Sequence, residues 1–123
     1  FYFRDFWRAD SGMLAALHAI AALGESEESL SQLLAPYNRY ISSGEINSTV
    51  KDAAAATKEI ENIYGSQSGV ELDRLDGLTV TGDTWWFNLR ASNTEPLLRL
   101  NVEATTAKEM ASIRDAVLNT IRA

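Results

Sequence analysis

The fold is decided by residues 85–103, which read Trp85-Trp86-Phe87-Asn88-Leu89-Arg90-Ala91-Ser92-Asn93-Thr94-Glu95-Pro96-Leu97-Leu98-Arg99-Leu100-Asn101-Val102-Glu103. Apolar and polar side chains alternate on both sides of a polar interruption, which is the period of a strand with one buried face. The residues expected on the buried face are Trp85, Phe87, Leu89, Leu98, Leu100 and Val102. The pattern predicts two neighbouring strands joined by the polar loop.

The flanking segments extend this pair of strands into a two-layer domain. Residues 40–47 and 78–81 have strand character, whereas residues 50–64 and 107–121 carry apolar side chains at helical spacing. Two capping-box patterns precede these helices, Thr49 with Asp52 and Thr106 with Glu109. We therefore expect an α+β domain in the order βαβββα, a four-stranded antiparallel sheet with two helices on one face.

The pattern of residues 1–36 predicts a separate helical segment before that domain. Apolar residues recur at helical spacing from Ser11 to Leu23, and Gly24 stands where a left-handed C-cap is common. A weaker helix is expected from about residue 26, ending before Pro36 because proline disfavours helical geometry in the preceding residue. The boundary falls near Tyr37, which leaves residues 37–123 as the second domain. The aromatic-rich start without a methionine indicates a piece of a longer chain.

Composition narrows the classes of partner. The net charge of -6 and the pI of about 4.7 argue against nucleic acid or an anionic membrane as the main partner. The 123 residues contain no cysteine, so no disulfide framework or cysteine-rich zinc site is expected. No run of about eighteen apolar residues and no signal-peptide layout is present, and we expect a soluble, cytoplasmic protein.

The loop between the two main strands is the candidate binding site. Arg90 offers a planar, permanently charged fork that matches two phosphate oxygens, and Ser92, Asn93 and Thr94 add neutral donors. Pro96 stiffens the exit into the next strand. This concentration of donors suits an anion. On chemistry alone, an ordinary polar turn explains the same residues equally well.

The loop sequence, followed by Leu-Leu-Arg-Leu-Asn-Val-Glu, resembles the phosphate-binding loop of the phosphomannomutase/phosphoglucomutase family, the alpha-D-phosphohexomutases. Residues 43–47 and 2–13 are also similar to that family. The resemblance implies that residues 1–36 are the end of the family's third domain and residues 37–123 its fourth, with a TATA-binding-protein-like fold.

In that family a phosphoserine on the first domain exchanges phosphoryl groups with a hexose phosphate, and a magnesium ion bound by another domain assists. The fourth domain holds the phosphate that does not react. The resemblance implies that Arg90 is the clamp, that Ser92, Asn93 and Thr94 are donors, and that Glu95 and Pro96 shape the loop. It assigns no catalytic residue and no metal ligand to this chain, whose sequence lacks the family's serine, metal and sugar loops.

The resemblance also implies partners and an activity for the longer protein. On this resemblance the expected ligand is a mannose or glucose phosphate, and the missing N-terminal domains are expected to supply the chemistry and bind magnesium. The chain alone is expected to be inactive. The parent is expected to be an intramolecular phosphotransferase that interconverts hexose 6-phosphate and hexose 1-phosphate through a bisphosphorylated intermediate.

Several other residues are expected to have ordinary structural roles. Asp73 and Asp76 in residues 72–77 lack metal-ligand spacing and are predicted to be surface and turn residues. His18 on the first helix is predicted to be a packed or interface residue. Arg99 is predicted to be solvated near the loop, with an extension of the loop's positive field as the alternative. The competing function is a structural or protein-interaction domain without a ligand, in which Trp86 on the open sheet face makes the contacts.

Overall fold

The computed structural model describes residues 1–92 and 94–123. The chain divides into two units, Phe1–Arg39 and Tyr40–Ala123. Within the described ranges, none of the helices has the length and apolar character needed to cross a bilayer.

The first unit contains a short hairpin and two helices. Its elements are β1 (Tyr2–Phe3), β2 (Ala9–Asp10), α1 (Gly12–Gly24), α2 (Leu30–Leu34) and a turn of 3-10 helix (Ala35–Tyr37). The hydroxyl of Ser11 caps α1 by accepting the backbone N–H of Leu14 at 3.2 Å. Gly24 is still helical rather than left-handed, and α2 begins only after Ser29, later than expected.

The second unit is an antiparallel sheet covered on one face by two helices. Its elements are β3 (Ile41–Ser42), β4 (Ile46–Thr49), α3 (Ala53–Gly65), β5 (Glu71–Asp73), β6 (Leu78–Thr81), β7 (Trp85–Ala91), β8 (Leu97–Ala104) and α4 (Ala107–Ile121). The strand order is β3-β8-β7-β6-β5, with β4 also paired to β8. This arrangement confirms the predicted α+β architecture.

The core fills the space between the sheet and the helices. Leu78, Leu89 and Leu100 lie opposite one another across β6, β7 and β8, and each is almost fully buried. Tyr64 of α3 meets Phe87 edge to face, with ring centroids 4.9 Å apart. Because side chains alternate along these strands, the apolar side chains of residues 85–103 face the helices. The helices leave the opposite face of the sheet uncovered.

The sheet has more strands than the four expected, because one predicted strand is interrupted and one short strand is added. The interruption lies at Gly44, whose φ of 65° is the left-handed conformation that glycine adopts without strain. Ser43 maintains the pairing there: its N–H donates to the carbonyl of Val102 at 2.9 Å, and its hydroxyl accepts the N–H of Val102 at 3.0 Å. The added strand is β5, at the other edge of the sheet.

Helix α3 begins at a different residue from the one the capping pattern indicates. Thr49 is part of β4 and pairs with Leu97, whereas the carboxylate of Asp52 caps the helix by accepting the N–H of Ala55 at 2.9 Å. For α4, the first of the two hydrogen bonds of the predicted capping box is present. The hydroxyl of Thr106 accepts the N–H of Glu109 at 3.2 Å.

Candidate functional site

The loop between β7 and β8 is closed by backbone hydrogen bonds. The N–H of Ser92 donates to the carbonyl of Leu97 at 2.8 Å, and the N–H of Leu97 donates to the carbonyl of Glu95 at 2.7 Å. The hydroxyls of Ser92 and Thr94 lie 3.5 Å apart, and Ser92 Oγ also accepts the N–H of Thr94 at 3.4 Å. Two of the predicted donors thus converge on one side of the loop.

The two residues predicted to shape the loop lie at its end. Glu95 and Pro96 are exposed at its tip, and the carbonyl of Pro96 accepts the N–H of Val50 at 3.5 Å. That bond ties the loop's exit to the segment before α3. Asn93 lies outside the described residues.

Arg90 stands at the end of β7, next to this loop. Its Nη1 donates to Oδ2 of Asp76 at 2.9 Å, and the Arg90 and Asp76 side chains are 43% and 70% exposed. An ion pair this exposed contributes little to stability, so its interest lies in where it holds the guanidinium. Asp76 was interpreted from the sequence as a turn residue only, and the structure adds its contact with Arg90.

Arg99 lies directly opposite Arg90 in the pairing of β7 and β8. Side chains at opposed positions share a face, so both guanidinium groups are on the open side of the sheet. Within the described part of the chain, Nε of Arg99 is buried and has no hydrogen-bond partner. The solvated role predicted for Arg99 is therefore wrong for this atom, since unpartnered buried donors are rare in folded proteins.

The open face changes in charge from one end to the other. Arg90 and Arg99 form the pair next to the loop, and Asn88 and Asn101 form the next pair along the same strands. Trp86 and Glu103 follow, and the indole Nε1 donates to Oε2 of Glu103 at 3.1 Å. The positive end is thus the end at which the loop donors lie.

The turn at residues 74–77 is pressed against β7. Gly77 has a φ of 76°, and a Cβ there would lie 2.6 Å from the carbonyl oxygen of Leu89 and 3.0 Å from Cα of Arg90. The side-chain amide of Asn88 donates to the carbonyl of Asp76 at 2.7 Å. These contacts fix the backbone that carries the Asp76 carboxylate.

No metal site is found in the residues that the structure describes. Across residues 1–92 and 94–123, no group of three or more His, Cys, Asp or Glu side chains is placed to hold an ion. The resemblance assigns the magnesium ion of the longer protein to another domain, and nothing below depends on a metal.

Family models divide the chain at the same region as the structure. The model described as the phosphoglucomutase/phosphomannomutase C-terminal domain matches residues 45–120, and the model of alpha/beta/alpha domain III matches residues 1–40. The chain belongs to the phosphoglucomutase/phosphomannomutase family. Residues 45–120 are thus the C-terminal domain of a phosphohexomutase, which confirms the resemblance seen in the sequence.

Curated relatives of this family match most of the chain. A phosphomannomutase of Methanocaldococcus jannaschii is 39% identical over 121 residues, which cover 98% of this chain and 26% of the relative. Phosphohexose mutases of Xanthomonas campestris pv. campestris are 50% identical over 103 residues, covering 83% of this chain and 23% of the relative. The chain therefore spans about a quarter of the length of these relatives.

A solved member of the family shares the fold. The crystal structure of a phosphoglucomutase/phosphomannomutase family protein from Burkholderia thailandensis superposes with a TM-score of 0.68 at 25% sequence identity. The match covers 98% of this chain and 26% of that protein.

Proposed function

We propose that the positive end of the open sheet face binds the phosphoryl group of a sugar phosphate, with Arg90, Ser92, Asn93 and Thr94 as its ligands. The observation that carries this proposal is the direct opposition of Arg90 and Arg99 beside a loop whose two hydroxyls converge. Like charges placed opposite each other on a sheet destabilise it, and a bound dianion would relieve that cost.

Arg99 joins the proposed site because of its unpartnered Nε. A guanidinium carries five N–H donors and no acceptor, so only an acceptor brought by a ligand or solvent satisfies it. A phosphate oxygen between the two arginines would accept from both. Ser92 and Thr94 would then supply uncharged donors on the loop side.

The proposed role of the site within the longer protein is to orient the substrate. Phosphoryl transfer depends mainly on alignment and electrostatic stabilisation, so fixing a phosphate remote from the reacting bond contributes to the rate. The relatives are named phosphomannomutases and phosphohexose mutases, which supports a mannose or glucose phosphate as ligand. The chain by itself is proposed to bind without turning over.

An NMR titration of the chain with mannose 1-phosphate tests the proposal. Shifts should cluster at residues 90–95 and 99, and Arg90→Ala should abolish them. Arg114→Ala is the matched control, because Arg114 lies on α4 and pairs with its neighbour Asp115, so it loses the same charge away from the site. Mannose without phosphate should give no shifts.

Two outcomes would reject phosphate binding. One is an absence of loop shifts even at millimolar ligand, and the other is an equal loss of binding in the Arg90→Ala and Arg114→Ala variants. An absence of shifts anywhere in the chain would instead favour the structural or protein-interaction function, which has no ligand of its own.

A further inference from the structure

The carboxylate of Asp76 already occupies one N–H of Arg90. The contact joins Oδ2 of Asp76 to Nη1 of Arg90 at 2.9 Å, across 14 positions of the chain. The role proposed below for this contact rests on the proposed function, because the contact matters only if Arg90 binds a phosphate.

Contacts of the surrounding turn hold the backbone of Asp76 next to β7. Gly77 approaches β7 so closely that no side chain fits between them, because a Cβ at Gly77 would lie 2.6 Å from the carbonyl oxygen of Leu89. The amide of Asn88 donates both to the Asp76 carbonyl at 2.7 Å and to the Thr79 hydroxyl at 3.0 Å. The carboxylate of Asp73 accepts the N–H of Leu75 at 2.8 Å, which orders the start of the turn.

The position of Asp76 places a negative charge beside one of two opposed arginines. Arg90 and Arg99 face each other, and Asp76 neutralises one of them while Nε of Arg99 has no partner in the described residues. A phosphate that reaches Arg90 must approach the Asp76 carboxylate, which is paired with the same guanidinium. The two anions repel each other and share the donors of one fork.

We propose that Asp76 is a built-in counter-anion of Arg90, which holds the guanidinium in place when the site is empty and weakens the binding of phosphate when it is filled. Asp76 acts through Arg90 and is a positioning residue. Its effect on the ligand is electrostatic, so it depends on the negative charge of the side chain and on ionic strength.

The test compares Asp76→Asn with the wild-type chain in titrations with inorganic phosphate and with mannose 1-phosphate, at low and high sodium chloride. Asparagine keeps an oxygen that can accept from Arg90 and removes the charge. We expect phosphate to bind about three- to ten-fold more tightly to the variant at low salt, and the gain to shrink at high salt because charges are screened.

Asp83→Asn is the matched control. Asp83 is exposed in the turn that joins β6 to β7 at the opposite end of these strands, and its loss changes the net charge of the chain by the same amount. Its affinity for phosphate should equal that of the wild type. An equal gain in both variants would mean that total charge alone is responsible, and would overturn the inference.

The remaining outcomes separate this inference from the proposed function. If the wild type binds phosphate, Arg90→Ala does not, and Asp76→Asn binds equally or more weakly than wild type, only the inference fails. If neither the wild type nor Asp76→Asn binds phosphate, both fail. A gain that persists unchanged at high salt would also contradict the electrostatic role.

Discussion

Arg90 and Arg99 face each other across β7 and β8, so two positive side chains occupy opposed positions next to the proposed ligand loop. Directly opposed like charges destabilise a sheet, and cross-strand pairs typically change its stability by about 0.2–1 kcal/mol. Arg99→Gln should therefore leave the free energy of unfolding unchanged or raise it by that amount.

The same substitution should weaken phosphate binding about ten-fold, since it removes a hydrogen bond donor that is charged. Urea unfolding and a phosphate titration of one preparation measure both effects. A loss of stability together with unchanged binding would mean that Arg99 is a structural residue.

Gly77→Ala should destabilise the second unit strongly. The φ of 76° is strained for alanine, and the added Cβ would lie 2.6 Å from the carbonyl oxygen of Leu89. Strain and overpacking together predict a loss of about 2–5 kcal/mol in urea unfolding.

Gly69→Ala is the control for backbone strain alone, because Gly69 has a φ of 79° and open space where its Cβ would be. It should cost about 1–2 kcal/mol. Equal losses at the two glycines would show that the close approach of the 74–77 turn to β7 is unimportant.

Tyr64 predicts a pH dependence of stability. Burial raises the pKa of its hydroxyl above the ordinary value of 10.0. The unfolded chain therefore releases this proton at lower pH than the folded chain, so the stability it contributes is present below about pH 10 and falls as the pH rises further.

Tyr64→Phe should keep the ring contacts with Phe87 and Trp85 and lose part of this alkaline decline. Urea unfolding at about pH 8 and about pH 11 measures the difference between the two proteins. Identical alkaline declines would mean that the buried phenol does not contribute.

Thr106→Ala should lower the free energy of unfolding by about 0.5–2 kcal/mol, because the Thr106 hydroxyl accepts the N–H of Glu109 at the start of α4. Thr105→Ala is the neighbouring control, since the Thr105 hydroxyl makes only a long contact of 3.5 Å with the Glu109 carboxylate. An equal loss of stability in the Thr105 and Thr106 variants would contradict the capping role of Thr106.

The sequence predicted the parts of the fold that follow from side-chain period. The strands at residues 85–91 and 97–104 were recognisable because one face is apolar throughout, and that period requires no knowledge of distant residues. The split of the first strand at Gly44 was not foreseen, although a glycine inside a strand pattern often marks such an irregularity. The cap of α3 was misplaced because Thr49 and Asp52 both suit the position by type.

The candidate site was predictable only as far as the loop. Arg90, Ser92 and Thr94 are close in sequence, so their chemistry can be read together. Asp76 precedes Arg90 by 14 positions, and only the pairing of β6 with β7 brings it there. The opposition of Arg90 and Arg99 likewise depends on the register of two strands, which the length of the intervening loop determines.

The Ser43 side chain has a consequence for the edges of the sheet. By hydrogen bonding to Val102 across the break at Gly44, it keeps β8 paired while its partner is reduced to two short strands, Ile41–Ser42 and Ile46–Thr49. The opposite edge is the three-residue strand Glu71–Asp73, which carries two acidic side chains. Short, interrupted or charged edges are poor templates for adding a strand from another molecule, so the sheet is protected against edge-to-edge aggregation on both sides.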